Sequence, residues 1–463
     1  MTSMPNISAA LADFVATTKF EQLPASTVTA TKRAVLDAFG VSMAATTLGE
    51  GVQAFTDLAI SQGTGPCIVF GCDKRTSPVL AALANGALAH ALDFEDAHDG
   101  ALVHPNAATI PAALAAAQAM GTVDGKQLIA AIAIGCDIVC RMGLALRVSL
   151  DDFGWYPPPI LGAFGATAAA ASIYGLTPRQ VLDAFSLTLC QATCSAEIKY
   201  SPNSVIRAVR DGFAAKTGVL SVELARRNVS GFDAPFEGKA GFFALFARGQ
   251  YEPQDLVREL GQRFEIDNLS FKPWPTCRGT HVYIEAALKI AKDQGLGVDD
   301  IAAIHTTGSR INRMLAEPLE RKRAPATAID AKFSIPFSVA TALRHGDVRL
   351  DHFRADALAD AETLAIASRI DFSVSPTDSG KPIDMTRGTL TLTTRDGRTF
   401  SVEGDNPLGH PKRPLSDTAL LDKFLLCAKH YARPMAHDTS QRVATHILDL
   451  QHPDSLQSLL RLL

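Results

Sequence analysis

From residue 7 to about residue 265, apolar positions recur at three- and four-residue spacing. The pattern is clear in ISAALADFVATT, TVTATKRAVLDAFGVSMAAT, GKQLIAAIAIGCDIVCRMGLAL and GAFGATAAAASIYG. That period predicts helices throughout. Gly, Pro or Asn mark the breaks, and Thr177-Pro178 predicts an N-cap followed by proline at the first helical position. Ala and Gly are dense in this stretch. Small side chains let helix backbones approach closely, so the region is expected to be a tightly packed bundle.

After about residue 270 the period changes to two. AIHTTGS at 303–309, SRIDFSVS at 368–375, GTLTLTT and RTFSVEG read as strands, the last two joined by a tight turn at Asp396-Gly397. HVYIEAALKIAKDQ and IPFSVATALRHG lie between them as helices, and the tail from SDTALLDKFLLCAKH onward is helical again. The expected fold is therefore mostly α. A large helical domain spans 1–268, an α+β lid 269–404, and the tail 405–463 returns to the helical domain. The cleft between such parts is the expected ligand site.

Composition narrows the function. With 463 residues, 47% hydrophobic and 20% charged, the chain is a globular protein too long for one ordinary core. A net charge of −4 gives no reason to expect a nucleic-acid or membrane-surface partner. Any affinity for anions must come from a local basic cluster. The N-terminus lacks the pattern of a secretory signal, and charged residues or His interrupt every Ala/Leu-rich run, so no membrane span is expected. Eight cysteines are scattered without a CxxC pair. Cys136/Cys140 and Cys190/Cys194, each four apart, fit small packed residues on helix faces. Reduced thiols, a cytoplasmic location and no zinc or disulfide framework follow as expectations.

Four segments carry candidate chemistry. In NGALAHALDFEDAHDGALVHPNAATIPAAL, Asp93, Asp96, His98 and His104 fall close together, and His104-Pro105-Asn106 opens a helix whose N-terminus favours anions. A solvated loop with capping carboxylates is the plain alternative, and a metal site finds no recognised ligand spacing there. GWYPPPILGAFGA places Tyr156 before three prolines that rule out a continuous helix. EIKYSPNSVIRAVRDGF carries Lys199, Arg207 and Arg210, the two arginines sharing a face if helical. SFKPWPTCRGTHVYIEAAL carries Lys272, Cys277, Arg278 and His281 at the domain junction. Several fixed positive charges in one pocket suit a dicarboxylate or tricarboxylate.

These segments, with DAKFSIPFSVA and NPLGHPKRPLSDTALLDKF, resemble in order the MmgE/PrpD family over residues 8 to 430. Known members include 2-methylcitrate dehydratase, cis-aconitate decarboxylase and iminodisuccinate epimerase. The resemblance implies a helical domain with a smaller α+β lid, usually in a homodimer. It also implies action on small polycarboxylates with neither metal nor organic cofactor. By motif, Asp93, His104 and Lys272 match family active-site positions. Elsewhere the chain departs: the family's usual His is Tyr156, and its Lys-x-x-His run is Arg207-Ala208-Val209-Arg210. A Tyr and a Thr of the decarboxylase pattern fall on Phe337 and Ala97.

Arginine cannot readily give up its proton, so Arg207 is expected to bind rather than transfer. Tyrosine titrates near about 10 unless neighbouring positive charge lowers it, which would let Tyr156 serve as acid or base. The expected chemistry is proton abstraction beside a carboxylate, with fixed cations stabilising the dianion that develops. His104, oriented by Asp93, would be the general base or acid, with Tyr156 its partner across the substrate and Lys272 completing the catalytic group. Arg207, Arg210, Lys199, His281 and Arg278 would hold carboxylates; His98 and Cys277 are read as structural. A dehydratase acting on a hydroxy-polycarboxylate is the first expectation. An epimerase of a small diacid is the alternative, followed by a decarboxylase or a non-catalytic carboxylate binder.

Overall fold

At Gly165 the helix Pro157–Ile173 meets the helix Gly125–Ala145 so closely that an added Cβ would lie 2.1 Å from Val139 Cγ2. It would also lie 2.7 Å from the Gly135 carbonyl oxygen, so only glycine fits there. Helices Pro78–His90, Pro105–Met120 and Asp211–Ala225 complete this bundle. Alanine lines most of their contacts, and one continuous apolar core runs through them. The computed structural model describes residues 6–201, 203–376 and 384–463.

Two sequence expectations need correction here. Gly125–Ala145, with 21 residues and a mean hydropathy of 2.0, is long and apolar enough to cross a membrane. It lies instead at the centre of the bundle, with 89% of its apolar window buried. Arg141 on it donates to Asp137 at 2.5 Å and to the Arg258 and Arg263 carbonyls at 2.7 and 2.8 Å, which satisfies the buried charge. The cysteine pairs also differ from one another. Cys136 and Cys140 are buried on this helix, whereas Cys190 is exposed at the end of the helix Pro178–Leu189 and Cys194 lies beyond it.

Thr177 caps the helix Pro178–Leu189 with a reciprocal Gln180 bond, as the sequence predicts. The period-two segments form a four-stranded sheet ordered Ile370–Val374, Ile301–Gly308, Gly388–Thr394, Thr399–Gly404. Its first pair is parallel and the others antiparallel. Thr394 N–H donates to the Arg398 carbonyl at 2.9 Å, and Gly397 holds φ 87°. The Asp396-Gly397 turn is therefore a three-residue connection with glycine in the left-handed position. A short antiparallel pair, Cys67–Ile68 with Arg75–Thr76, interrupts the helical region and is too short for a period to reveal. Helix His281–Gln294 packs on the larger sheet, Ile335–His345 packs on that helix, and Asp417–Ala428 packs on Ala25–Leu48.

Candidate active site

Two helix starts meet at one cleft. His104 is the residue before the helix Pro105–Met120, and Tyr156 the residue before Pro157–Ile173. The prolines do not merely break the chain; they form the first turn, where a missing N–H costs nothing. This has a chemical consequence. Pro105 and Pro157, Pro158 and Pro159 offer no N–H, so these helix ends attract an anion by dipole but give it few hydrogen bonds. Side chains must supply the donors.

The cleft has a volume of about 680 Å³, and His104, Tyr156, Lys199, Arg278, Cys277 and Phe333 are among its lining residues. Lys199 donates to Asp151 at 2.6 Å, with its Nζ 5.2 Å from the Tyr156 ring centre. Arg207 and Arg210 lie buried behind the wall, 5.7 and 5.0 Å from the same ring, and Arg207 stacks on Phe333 at 3.4 Å. They face one ring although a helix break separates them: Arg207 is in the short turn Ile206–Val209, and Arg210 precedes Asp211–Ala225. On both guanidiniums, Nε and Nη2 are buried without a hydrogen-bond partner. Burial opposes the charge of Arg210, but Tyr156, Asp211, Asp93 and Glu95 hold its pKa above the ordinary value.

His104 is fixed by a carboxylate that its sequence position did not single out. Its Nδ1 lies 3.0 Å from Glu95 Oε1 and 3.1 Å from the Asp96 carbonyl oxygen. Glu95 also bonds His90 Nδ1, and Arg210 Nη1 donates to His90 Nε2. With ionised Glu95, both of the groups at His104 Nδ1 are acceptors, so Nδ1 carries the hydrogen and Nε2 of the neutral ring keeps its lone pair. Asp93 was expected to orient this ring. Its Oδ1 instead lies 3.9 Å from Nε2, beyond hydrogen-bond reach, and the orienting carboxylate is Glu95. Burial opposes ionisation of Glu95, yet His90, Lys272 and His104 keep it well below the usual carboxylate range.

Asp93 sits at φ 48°, left-handed for a non-glycine residue. Lysines from three elements hold the backbone there. Lys332 donates to the Leu92 carbonyl at 2.7 Å, Lys272 to the Asp93 carbonyl at 2.8 Å, and Lys423 to the Phe94 carbonyl at 2.6 Å. Lys272 also reaches Asp93 Oδ1 at 3.0 Å. Burial penalises the Lys272 charge, but Asp93 and Glu95 raise its pKa above normal; burial lowers Lys332 to about 7. Lys272 and Asp93 thus lie behind the cleft wall rather than on it.

The remaining expected residues occupy other places. Arg278 is spent on Asp99 at 3.3 Å, His281 Nδ1 at 3.0 Å, and the Leu408 and Pro407 carbonyls at 3.0 Å each. His281 is buried and donates Nε2–H to the Thr276 carbonyl at 3.2 Å, with burial and Arg278 holding its pKa well below normal. Both are better placed to tie the junction together than to bind carboxylates. His98 bridges Glu265 at 3.2 Å and accepts from Ala101 N–H. Asn106 donates to Asp96 at 2.7 Å, and burial raises Asp96 to about 8. Phe337 packs in a separate small core with Trp274 and Phe353, away from the cleft lining.

His90, Asp93, Glu95 and His104 bring ligand-type atoms within 4.8 Å of one another, and they could hold a metal ion by spacing alone. Several of these atoms are committed otherwise, although Asp93 Oδ2 and Glu95 Oε2 are buried without a hydrogen-bond partner and His104 Nε2 keeps its lone pair. Arg210 fills His90 Nε2, Glu95 takes His90 Nδ1, and the Lys272 ammonium occupies Asp93 Oδ1. Two fixed cations already balance two carboxylates, so a divalent ion fits poorly.

The MmgE/PrpD N-terminal domain profile matches residues 9–254, and the MmgE/PrpD C-terminal domain profile matches residues 274–449. The chain is 26% identical to the cis-aconitate decarboxylase-like protein oryM of Aspergillus oryzae, over 99% of this chain and 97% of that protein. It is 23% identical to cis-aconitate decarboxylase of Mus musculus, over 99% and 94%. To 2-methylcitrate dehydratase of Escherichia coli it is 25% identical, over 87% of each chain.

Proposed function

The chain belongs to the MmgE/PrpD family, and from that premise we propose that it is a lyase of small polycarboxylates working by proton transfer at carbon. One observation carries this reading. His104, with Nε2 free, lines the cleft together with Tyr156, and behind the Tyr156 ring lie Arg207 and Arg210, whose Nε and Nη2 are buried without a hydrogen-bond partner. A substrate carboxylate supplies the missing acceptors and brings an acidic C–H to the imidazole.

In the dehydratase form, His104 Nε2 takes the proton from the carbon beside a carboxylate. The electron pair forms the carbon–carbon double bond as the β-hydroxyl departs, and Tyr156 O–H protonates it to water. Arg207 and Arg210 hold the charge that grows on the carboxylate; closeness to a low-dielectric wall strengthens them. Glu95 fixes the ring of His104 and stabilises its protonated form. Lys272 positions Asp93, and Lys199 keeps positive charge beside Tyr156. Neither metal nor organic cofactor takes part.

A second reading follows from the relatives named for cis-aconitate decarboxylation, which align over nearly all of the chain. There the carbon–carbon bond to a carboxylate breaks, carbon dioxide leaves, and the protonated His104 or Tyr156 delivers a proton to carbon. The proposal extends to a homodimer, since Tyr200, Ile206 and Phe213 are exposed at 68%, 54% and 48% and a second copy would cover them. It also extends to a cytoplasmic location, which suits eight free cysteines.

The deciding experiment is proton NMR in D2O on exhaustively chelated protein with 2-methylcitrate, citrate and cis-aconitate. A new alkene signal with loss of water identifies the dehydratase. Carbon dioxide release with one deuterium in the product identifies the decarboxylase. Neither turnover nor deuterium exchange with any polycarboxylate sinks the proposal, and activity restored only by a divalent ion sinks its metal-free part.

A further inference from the structure

A cleft of about 680 Å³ is in the size range of sites for drug-sized ligands rather than for a bare six-carbon acid. Its lining is unusual for a site that must hold several carboxylates. Leu102, Leu144, Val148, Ile311, Met314 and Met385 all face it, drawn from the catalytic loop, the end of the central helix and the lid. The charged groups on the same wall are largely occupied with partners. Lys199 holds Asp151 at 2.6 Å, Arg278 holds Asp99 at 3.3 Å, His98 holds Glu265 at 3.2 Å, and Arg147 pairs with Asp255. Arg207 and Arg210, each with Nε and Nη2 buried and without a hydrogen-bond partner, gather instead behind Tyr156 and Phe333.

The site thus combines a compact basic end with a larger apolar remainder. An apolar wall gains nothing from a fully ionised small acid, which would keep it wet. It gains from alkyl carbon, and methionine adapts to chains of different shape. We propose that the substrate is a polycarboxylate bearing an aliphatic chain of several carbons, with the carboxylates at Arg207 and Arg210 and the chain along Leu144, Met314 and Met385. This rests on the polycarboxylate reading above and names its substrate class more closely.

Isothermal titration of the full-length protein with 2-alkylsuccinates, from methyl to hexyl, tests it without needing turnover. The matching 1-alkanols serve as carboxylate-free controls. The expected result is a Kd that falls by about fourfold per methylene until the apolar wall is covered. The alkanols bind far more weakly, and Leu144→Asn and Met314→Gln, checked for folding by their melting transitions, flatten the slope. A Kd that stays constant or rises with chain length, while succinate itself binds, overturns the chain proposal and leaves the polycarboxylate reading standing. Alkanols binding as tightly as the diacids overturn the polycarboxylate reading and this proposal with it. Absence of binding by the whole series overturns both.

Discussion

The Lys272 ammonium lies 2.8 Å from the carbonyl oxygen of Asp93 and 3.0 Å from its Oδ1, holding backbone and side chain of one residue together. Asp93 is left-handed at φ 48°, so this contact also fixes a strained turn. The adjacent carbonyls of Leu92 and Phe94 are held by Lys332 and Lys423. The segment from His90 through Glu95 to His104 is thereby anchored by Lys272 and Lys332 and, from the helix Asp417–Ala428, by Lys423.

Lys272→Met is expected to leave the Asp93 carboxylate buried and unpaired. The cost should be about 3–5 kcal/mol, with loss of activity. Urea denaturation measures it; a loss under about 1 kcal/mol, the size of a surface pair, would show that Lys272 does not hold this turn.

His104→Ala and Tyr156→Phe should each lower turnover about a hundredfold or more while the melting transition stays cooperative. Steady-state rates on the substrate found by NMR check this. Near-normal turnover in either variant removes that residue from proton transfer.

Glu95→Gln keeps an oxygen acceptor near His104 Nδ1 but removes the negative charge that favours the imidazolium. Turnover should fall about tenfold or more, and the acidic limb of the kcat/KM profile should move to lower pH. An unchanged limb with lowered turnover would mean that Glu95 serves packing alone.

Asp96 gives a pH dependence whose sign can be worked out. Burial raises it from 3.8 to about 8, so between those values the folded chain keeps a proton that the unfolded chain has released. Its contribution to stability therefore declines as pH rises through that window. Asp96→Asn lacks the titration, so its melting temperature should gain on the parent between pH 5 and pH 8. Parallel curves for the two proteins would place the Asp96 pKa near its ordinary value.

The sequence by itself determined the long helices, the strands of the larger sheet, the mostly α class and the family. Each depends on local periodicity or on short ordered motifs, such as Thr177-Pro178, the His104-Pro105 helix start and KPWPTCRGTH, and these are visible in one dimension. It also brought Asp93, His104, Tyr156, Arg207 and Lys272 forward as candidates. What each one touches was decided only by the tertiary structure. Glu95 looked like one more acid in a polar loop until the fold placed it between two histidines. Arg278 and His281 looked available until the 407–408 carbonyls and each other used up their hydrogen bonds. Lys332 and Lys423 come from chain positions far from the loop they hold. The core helix Gly125–Ala145 reads locally like a span, and its burial among other helices is a tertiary fact. Local pattern follows from the backbone's own periods, whereas a side chain's role depends on which donor or acceptor remains unmatched once distant segments meet.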